Sequence, residues 1–344
     1  MNRFEWVNAR NPGDAAASRS TLVADAMRSR TGQPAGDATV FKAGGVDLLD
    51  LMKERLLTPQ RVVNLNGMQG LAGIATDAGG GLRIGALCTL AQVADHPLVR
   101  TRHPALAQAA AEAASPQIRQ VATLGGNLLQ RPRCWYFRSL QHHCARKGGA
   151  TCFAFGGEND YHAIFDHAGC AIVHPSTPAT ALVAFNARVE LEGAAGRRTV
   201  ALEEFFLTPA QSITRENDLR PGEILTAVLL APPGARTRSA HLRQGQLDSF
   251  DWPLADVAVV LEMSADDTCR NASVVLGAAA PVPHRASAAQ QALIGKRIDE
   301  DAARAAAHAA LAGAQPLSGN AYKLPIFEAL VRRAVLTARN EGRT

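Results

Sequence analysis

Residues 131–170 hold four of the six cysteines, seven of the seventeen aromatic residues and four of the ten histidines. They show neither the twofold period of a strand nor the 3.6-residue period of a helix. A compact domain tolerates so long an irregular stretch only when something other than core packing orders it. The rest of the chain has to build a scaffold around that stretch, and its composition allows one: 344 residues, 47% hydrophobic and 19% charged, suit a globular chain of two or three domains. Six cysteines are too few for a disulfide framework of this length. The longest apolar runs, such as Ile224–Ala231, fall short of the ~18–20 residues needed to span a bilayer, so no membrane span is expected. The opening MNRFEWVNARNPGDAAASRS has no apolar stretch of signal-peptide length, which predicts no secretion address on the chain itself. Lysine plus arginine exceed aspartate plus glutamate by 36 to 31, but without a basic run interleaved with aromatics, so nucleic acid is not an expected partner.

Pattern reading gives a mixed α+β chain. The first segment reads as a strand at Arg3–Val7, a helix over Asp14–Arg30 and a strand at Ala38–Lys42. A helix at Asp47–Lys53, a strand at Arg61–Asn64 and a short strand within GGGLRIGAL follow. An alanine-rich helix begins near His103 and ends near Ser115. Regular patterning resumes after the cysteine segment at Ala171–Val173, followed by a helix at Thr177–Asn186 and a strand at Arg188–Glu192. Proline and glycine cluster around 221–222 and 231–234, marking the main boundary. Strands at His241–Arg243, Val257–Met263 and Ala272–Gly277 and helices at Ala286–Leu293, Glu300–Ala312 and Pro325–Ala338 then predict a small antiparallel sheet covered by helices.

Two glycine pairs lie at turns into helices. In Ala43-Gly44-Gly45-Val46-Asp47-Leu48 the glycines permit positive φ and close backbone approach, and the helix start offers unpaired N–H groups to an anion. Thr123-Leu124-Gly125-Gly126-Asn127-Leu128 reads as the same construction with a hydroxyl and an amide added. Each pair alone is also compatible with a plain tight turn. Neither has the G-x-G-x-x-G spacing of a Rossmann fingerprint. Together they suit a dinucleotide, whose diphosphate two amide-rich turns can grip.

The cysteines Cys134, Cys144, Cys152 and Cys170 are spaced C-x9-C-x7-C-x17-C. That lacks the short C-x2–4-C knuckle of zinc sites and ordinary ferredoxin spacing. Their chemistry alone leaves free thiols, an iron–sulfur cluster, zinc and disulfides open. Cys88 and Cys269 read as structural. There is no nucleophile elbow, H-E-x-x-H, Walker motif or clustered acid–base set, which places the chemistry on a cofactor.

The order AGG-x-D-L-L, T-x-GGN-L, a His-Pro-Ser segment leading into a helix, and GEIL before a C-terminal α/β unit resembles the FAD-binding subunits of the molybdenum hydroxylases. That superfamily contains xanthine dehydrogenase, carbon monoxide dehydrogenase and aldehyde oxidoreductase. The resemblance covers nearly the whole chain. It implies a two-part FAD-binding domain of the vanillyl-alcohol-oxidase type over residues 1–56 and 57–225, then a C-terminal domain over 226–344. It further implies FAD contacts from Val40, Phe41, Lys42, Ala43, Gly44, Gly45, Val46, Asp47 and Leu48, from Thr123, Gly125, Gly126 and Asn127, from Ser176, and near the ring from Ile224, Leu225 and Arg243. Val46 stands where the family usually carries a hydroxyl, and Thr177 where many relatives carry Asp.

GGNLLQRPRCWYF, followed by cysteines in this order and then Cys170-Ala-Ile-Val-His-Pro-Ser, is similar to the flavin subunits that insert a loop holding a four-iron four-sulfur cluster. Among these it looks most like the bacterial aldehyde oxidoreductase version. The resemblance implies that Cys134, Cys144, Cys152 and Cys170 are the four ligands, with the insertion at about 131–170. The nearby aromatics Trp135, Tyr136, Phe137, Phe153, Phe155 and Phe165 are then expected to exclude water, and Arg133, Arg138, Arg146 and Lys147 to offset cluster charge. The implied partners are a large molybdenum-cofactor subunit, a small two-iron two-sulfur subunit and a terminal electron acceptor. Alternatives are a stand-alone flavin oxidase and a zinc-stabilised assembly protein without catalytic function. The expected compartment is the cytoplasm, or the periplasm through a partner's twin-arginine signal.

Overall fold

The computed structural model describes residues 1–18, 20–28, 38–247 and 251–341. Three sheets organise the chain. The first is parallel, in the order β1 (Glu5–Asn8), β3 (Arg61–Asn64), β2 (Thr39–Lys42). Its central strand carries two successive buried valines, Val62 and Val63. A parallel strand covered on both faces reads this way, because consecutive side chains enter opposite cores. The helix expected over Asp14–Arg30 is instead two short helices, Pro12–Ala17 and Val23–Met27, and the expected end at Arg30 lies outside the described residues. The break has a local cause. Ser18 turns its hydroxyl onto the Ala15 carbonyl, and the Thr21 N–H bonds the carbonyl of Thr39 in β2 rather than a helical acceptor.

The second sheet is antiparallel, in the order β4 (Ile74–Thr76), β5 (Leu82–Gly85), β8 (Ile224–Leu230), β6 (Arg188–Gly193), β7 (Gly196–Ala201). Helices Leu90–Asp95, Pro104–Glu112 and Thr177–Ala184 contribute to its core around Leu82, Ile84, Leu106, Leu182, Val189 and Val228.

The third sheet runs β12 (His284–Arg285), β11 (Cys269–Gly277), β10 (Ala255–Met263), β9 (Thr237–Gln244), all antiparallel. Strand β10 is nearly continuously apolar because both of its faces are covered. Val257, Val259 and Leu261 join the core under helices Ser287–Leu293, Glu300–Ala309 and Lys323–Asn340, while Ala258 and Val260 join the core of the second sheet. One sheet thus fastens two cores. Among the described residues no helix is long and apolar enough to cross a membrane.

The cysteine segment carries only two 3-10 turns, Ala145–Lys147 and Phe153–Phe155. Ala171–Val173, where regular patterning was expected to resume, is still loop and bonds back onto it, Ala163 N–H to Ala171 O at 2.9 Å. The C-terminal domain holds the loop by its backbone. Asn320 Nδ2 donates to the carbonyls of His162 and Ala163, and the buried Lys323 Nζ donates to those of His162 and Ala278. These bonds satisfy carbonyls that no ladder satisfies.

A buried charge cluster sits where the cores meet. His241 on β9 is fully buried, with Nε2 3.3 Å from Asp256 Oδ1 on β10 and Nδ1 3.2 Å from Glu112 Oε2 at the end of helix Pro104–Glu112. Burial alone would lower its pKa, yet the two carboxylates raise it to about 9. A histidine whose pKa is raised on folding adds stability that is complete below its unfolded value near 6.5 and is lost as pH climbs towards 9. Lys323, also near Asp256, is lowered to about 7 by burial and has the opposite sign, so the comparison with a variant isolates the histidine. Wild type minus His241→Gln should show a melting-temperature advantage that shrinks between pH 6.5 and 9.5; an advantage constant with pH contradicts the cluster.

Candidate functional site

The C-terminal ends of parallel strands are where open α/β sheets place ligands. Strand β2 ends at Lys42, and Ala43-Gly44-Gly45 turns directly into helix Val46–Lys53. Gly45 has φ +85°, in the left-handed region that favours glycine. The first closed helical turn is Leu49 N–H to Gly45 O, so the preceding amides have no intrahelical acceptor and face any anion placed there.

Gly44 is required for a different reason. A Cβ there would lie 2.2 Å from the Val121 carbonyl oxygen, and 3.1 Å from the Thr123 nitrogen. The missing side chain lets the two glycine turns touch. The second pair differs from the expected construction, because Gly125 and Gly126 lie inside the short helix Leu124–Leu128 capped by Thr123. Its amides are already used: Leu124 donates to Cys88 O, Gly125 to Ala86 O, Gly126 to Thr123 Oγ1 and Asn127 to Thr123 O. The second turn therefore offers close backbone approach and side chains, whereas the first offers free amides.

Between these turns lies a cleft of about 440 Å³. Of the residues the sequence pointed to, Phe41, Lys42, Ala43, Gly44, Gly45, Val46, Asp47 and Leu48 line it, with Thr123, Gly125, Gly126, Asn127, Ile224, Leu225 and Arg243. Val40 does not; strand alternation turns it into the core beneath β2. Ser176 is also set back. It caps helix Thr177–Ala184 through Ala179 N–H and donates to Asn127 Oδ1 at 2.5 Å, so it orients Asn127 from behind. Lys42 lies over the Trp6 ring and has a lowered pKa through burial. Arg243 is held by the carbonyls of Glu112 and Asp251. Sequence reasoning missed Arg131, Glu216 and Trp252, which also line the cleft. Trp252 stacks on the Arg133 guanidinium at 4.6 Å.

Asp47 plays a role beyond the turn. Its carboxylate accepts the Arg131 main-chain N–H at 2.8 Å and pairs with Arg133 at 2.9 Å and Arg138 at 2.6 Å. Arg133 and Arg138 are thus committed to the helix start rather than to the cysteines.

A second, smaller cavity is lined by Cys134, Cys144, Cys152 and Cys170 together with Tyr136, Phe137, Phe153, Arg146 and His162. All six cysteines of the chain are free thiols. Among the described residues no group of three or more His, Cys, Asp or Glu is drawn together as the ligands of one metal ion. Two of the thiols nevertheless bond each other. Cys152 donates to the Cys170 sulfur; that bond and then Arg146, with Nε 3.4 Å away, bring Cys170 down to about 5 against the pull of burial. The same bond and burial push Cys152 up, and burial pushes Cys134 up to about 12. His162 Nε2 lies 3.2 Å from Cys134 Sγ, and burial brings its pKa down to about 4. Lys147 is occupied with the Ser139 carbonyl. Of the expected aromatic shield, Phe155 is exposed and Phe165 stacks on His284 in the C-terminal domain.

Residues 14–232 match the FAD binding domain in molybdopterin dehydrogenase, and residues 240–338 match the CO dehydrogenase flavoprotein C-terminal domain. The chain belongs to the FAD-binding medium subunits of the molybdenum hydroxylases. It is 34% identical to the aldehyde oxidoreductase FAD-binding subunit PaoB of Escherichia coli over 99% of this chain and 100% of that one. To the carbon monoxide dehydrogenase medium chain of Hydrogenophaga pseudoflava it is 29% identical, covering 98% and 97%. Carbon monoxide dehydrogenase from the same organism superposes with a TM-score of 0.74 at 28% identity, over 98% of this chain and 97% of that one. Like these relatives, the chain is an oxidoreductase subunit that binds FAD.

Gly44→Ala sets a methyl against a backbone carbonyl and should cost about 1–3 kcal/mol as the turns part. The purified variant is expected to hold less FAD per chain than wild type by absorbance after gel filtration. Undiminished FAD would show that the contact between the turns does not shape the cleft.

Proposed function

We propose that this chain is the flavin subunit of an aldehyde-oxidising molybdenum hydroxylase and that it carries a four-iron four-sulfur cluster beside the FAD. A large molybdenum subunit would oxidise the substrate, and a small two-iron two-sulfur subunit would pass electrons to this chain for delivery to a terminal acceptor. The similarity to the Escherichia coli aldehyde oxidoreductase subunit along its full length supports the substrate class.

One observation carries the cluster reading: four cysteines from an irregular segment converge on one small cavity beside the cleft, with a cation already on one of their sulfurs. The donor set fits. Four thiols, one of them drawn to the thiolate side by Cys152 and Arg146, match a thiolate-held cluster. Arg146 Nη2 is buried without an acceptor and Arg146 lines that cavity, where a sulfur acceptor would satisfy it. Cluster binding would also supply the folding free energy that this segment lacks from burial.

For FAD, the free amides from Gly44 to Asp47 would hold the diphosphate. Val46 can offer only its backbone there, a loss of about one hydrogen bond worth 0.5–1.5 kcal/mol. Ile224 and Leu225, buried on β8, would pack against apolar ring surface, and Asn127, steadied by Ser176, would take a polar contact. Bound flavin supplies electron exchange singly or in pairs, which suits a junction between one-electron centres and a two-electron acceptor. Residues 1–56 and 57–225 would act as the two halves of the flavin domain, with the rest of β8 to Leu230 belonging to the second half, and the remainder of 226–344 as the cover. Assembly in the cytoplasm, with any export of the folded complex by a partner's signal, accords with thiolate ligation.

Cys144→Ala, prepared without oxygen, should lose most of its iron and acid-labile sulfide while Cys88→Ala retains both. Wild-type protein containing zinc instead, or neither iron nor sulfide, would falsify the cluster assignment.

A further inference from the structure

Two cavities in one chain raise the question of what lies between them. Arg131 and Glu216 line the cleft, and Arg146 and Cys170 line the cysteine cavity. These four residues form one buried chain of contacts. Arg131 Nε is 3.2 Å from Glu216 Oε2, Arg146 Nη1 is 2.7 Å from Glu216 Oε1, and Arg146 Nε is 3.4 Å from Cys170 Sγ. The side chains of Arg131, Glu216 and Arg146 are 4%, 7% and 1% exposed. Asp47 holds the near end through the Arg131 N–H, and Arg131 Nη2 donates to the Thr214 carbonyl.

One carboxylate therefore serves two guanidiniums. Arginine cannot shed its proton, so the excess positive charge persists and is screened little at this depth. It has two remaining ways to find an anion: a sulfur-rich group at the Arg146 end, or a phosphate at the Arg131 end. The Arg131 contact with Glu216 lacks hydrogen-bond alignment, leaving Nε and Nη1 without acceptors. Arg131 is thus the looser partner. Drawing it towards an anion in the cleft leaves more of the Glu216 charge to Arg146, which weakens the positive field of Arg146 on Cys170.

We propose that Glu216 is a positioning residue shared by both cavities, holding Arg146 on Cys170 and Arg131 at the cleft so that the reduction potential of the cysteine-held cluster responds to FAD occupancy. This rests on the cluster reading above. Removing the carboxylate leaves two uncompensated cations near the cluster, which favours its more negative, reduced form.

The test uses the full chain purified without oxygen, with iron, sulfide and FAD measured first. Cluster potentials are then read by potentiometric titration followed by EPR, before and after removal of FAD. In wild type, FAD loading should lower the potential. Glu216→Gln should shift it to more positive values and abolish the FAD dependence, whereas Glu204→Gln, at an exposed acid, should change neither. Glu216→Asp keeps the charge and should retain part of the FAD response. Should Glu216→Gln fail to fold, Arg131→Lys carries the test: it keeps the charge but loses the planar fork, and the FAD response should fall with the cluster intact. Unchanged potentials and an unchanged FAD response, with iron and sulfide present, would overturn the coupling and leave the cluster standing. Absence of iron and sulfide from wild type would overturn both.

Discussion

Asp47 is the point on which the two halves of the site depend. It lies in the first turn of the helix that follows β2, and its carboxylate takes the main-chain N–H of Arg131 and the guanidiniums of Arg133 and Arg138. Those three arginines flank Cys134 at the entrance to the irregular segment. A carboxylate at a helix N-terminus is favoured by the exposed amides around it, and here it also ties down a loop with almost no regular structure. Buried ion pairs add little net stability because desolvation offsets their attraction. What they fix is geometry, and the geometry places a cysteine-lined cavity next to an amide-lined cleft.

The C-terminal domain completes that placement. Its sheet shares strand β10 between two cores, and Asn320 and Lys323 reach across to hold His162 and Ala163 by their carbonyls. His162 in turn contacts Cys134. The domain is thereby part of the cysteine cavity's support as well as a cover for the flavin domain.

Much of this was legible in the sequence where local patterns decide structure. RVVN gave β3 at its observed bounds, the apolar run Val257–Met263 gave all but the first two residues of β10, and alanine and leucine spacing gave the C-terminal helices. The glycine pairs marked the cleft, and the cysteine segment stood out by its want of any period. Failures came where tertiary bonds override pattern. The helix over Asp14–Arg30 broke because Thr21 pairs with Thr39, and the patterning that resumes at Ala171–Val173 is loop whose Ala171 carbonyl takes the Ala163 N–H. GRRTVA at β7 has no clean alternation because it is an edge strand with Arg197 exposed and Arg198 turned onto Glu223 and Asp218. The second glycine pair looked like the first, but Thr123 caps its helix and uses the amides internally, which residue types alone do not reveal. Arg131 and Glu216 are 85 positions apart, ordinary surface residues by composition, and only folding brings them together.

In the proposed arrangement one chain seats a dinucleotide on the first glycine turn and an iron–sulfur cluster on four cysteines beside it. A crystal structure of anaerobically purified protein, with anomalous data collected at the iron edge, tests this most directly. The expected result is flavin density in the cleft with phosphate oxygens in hydrogen-bond reach of the Gly44–Asp47 amides, and an iron signal enclosed by Cys134, Cys144, Cys152 and Cys170. A diphosphate bound elsewhere, or four cysteines closed around zinc or around nothing but protein, would contradict it.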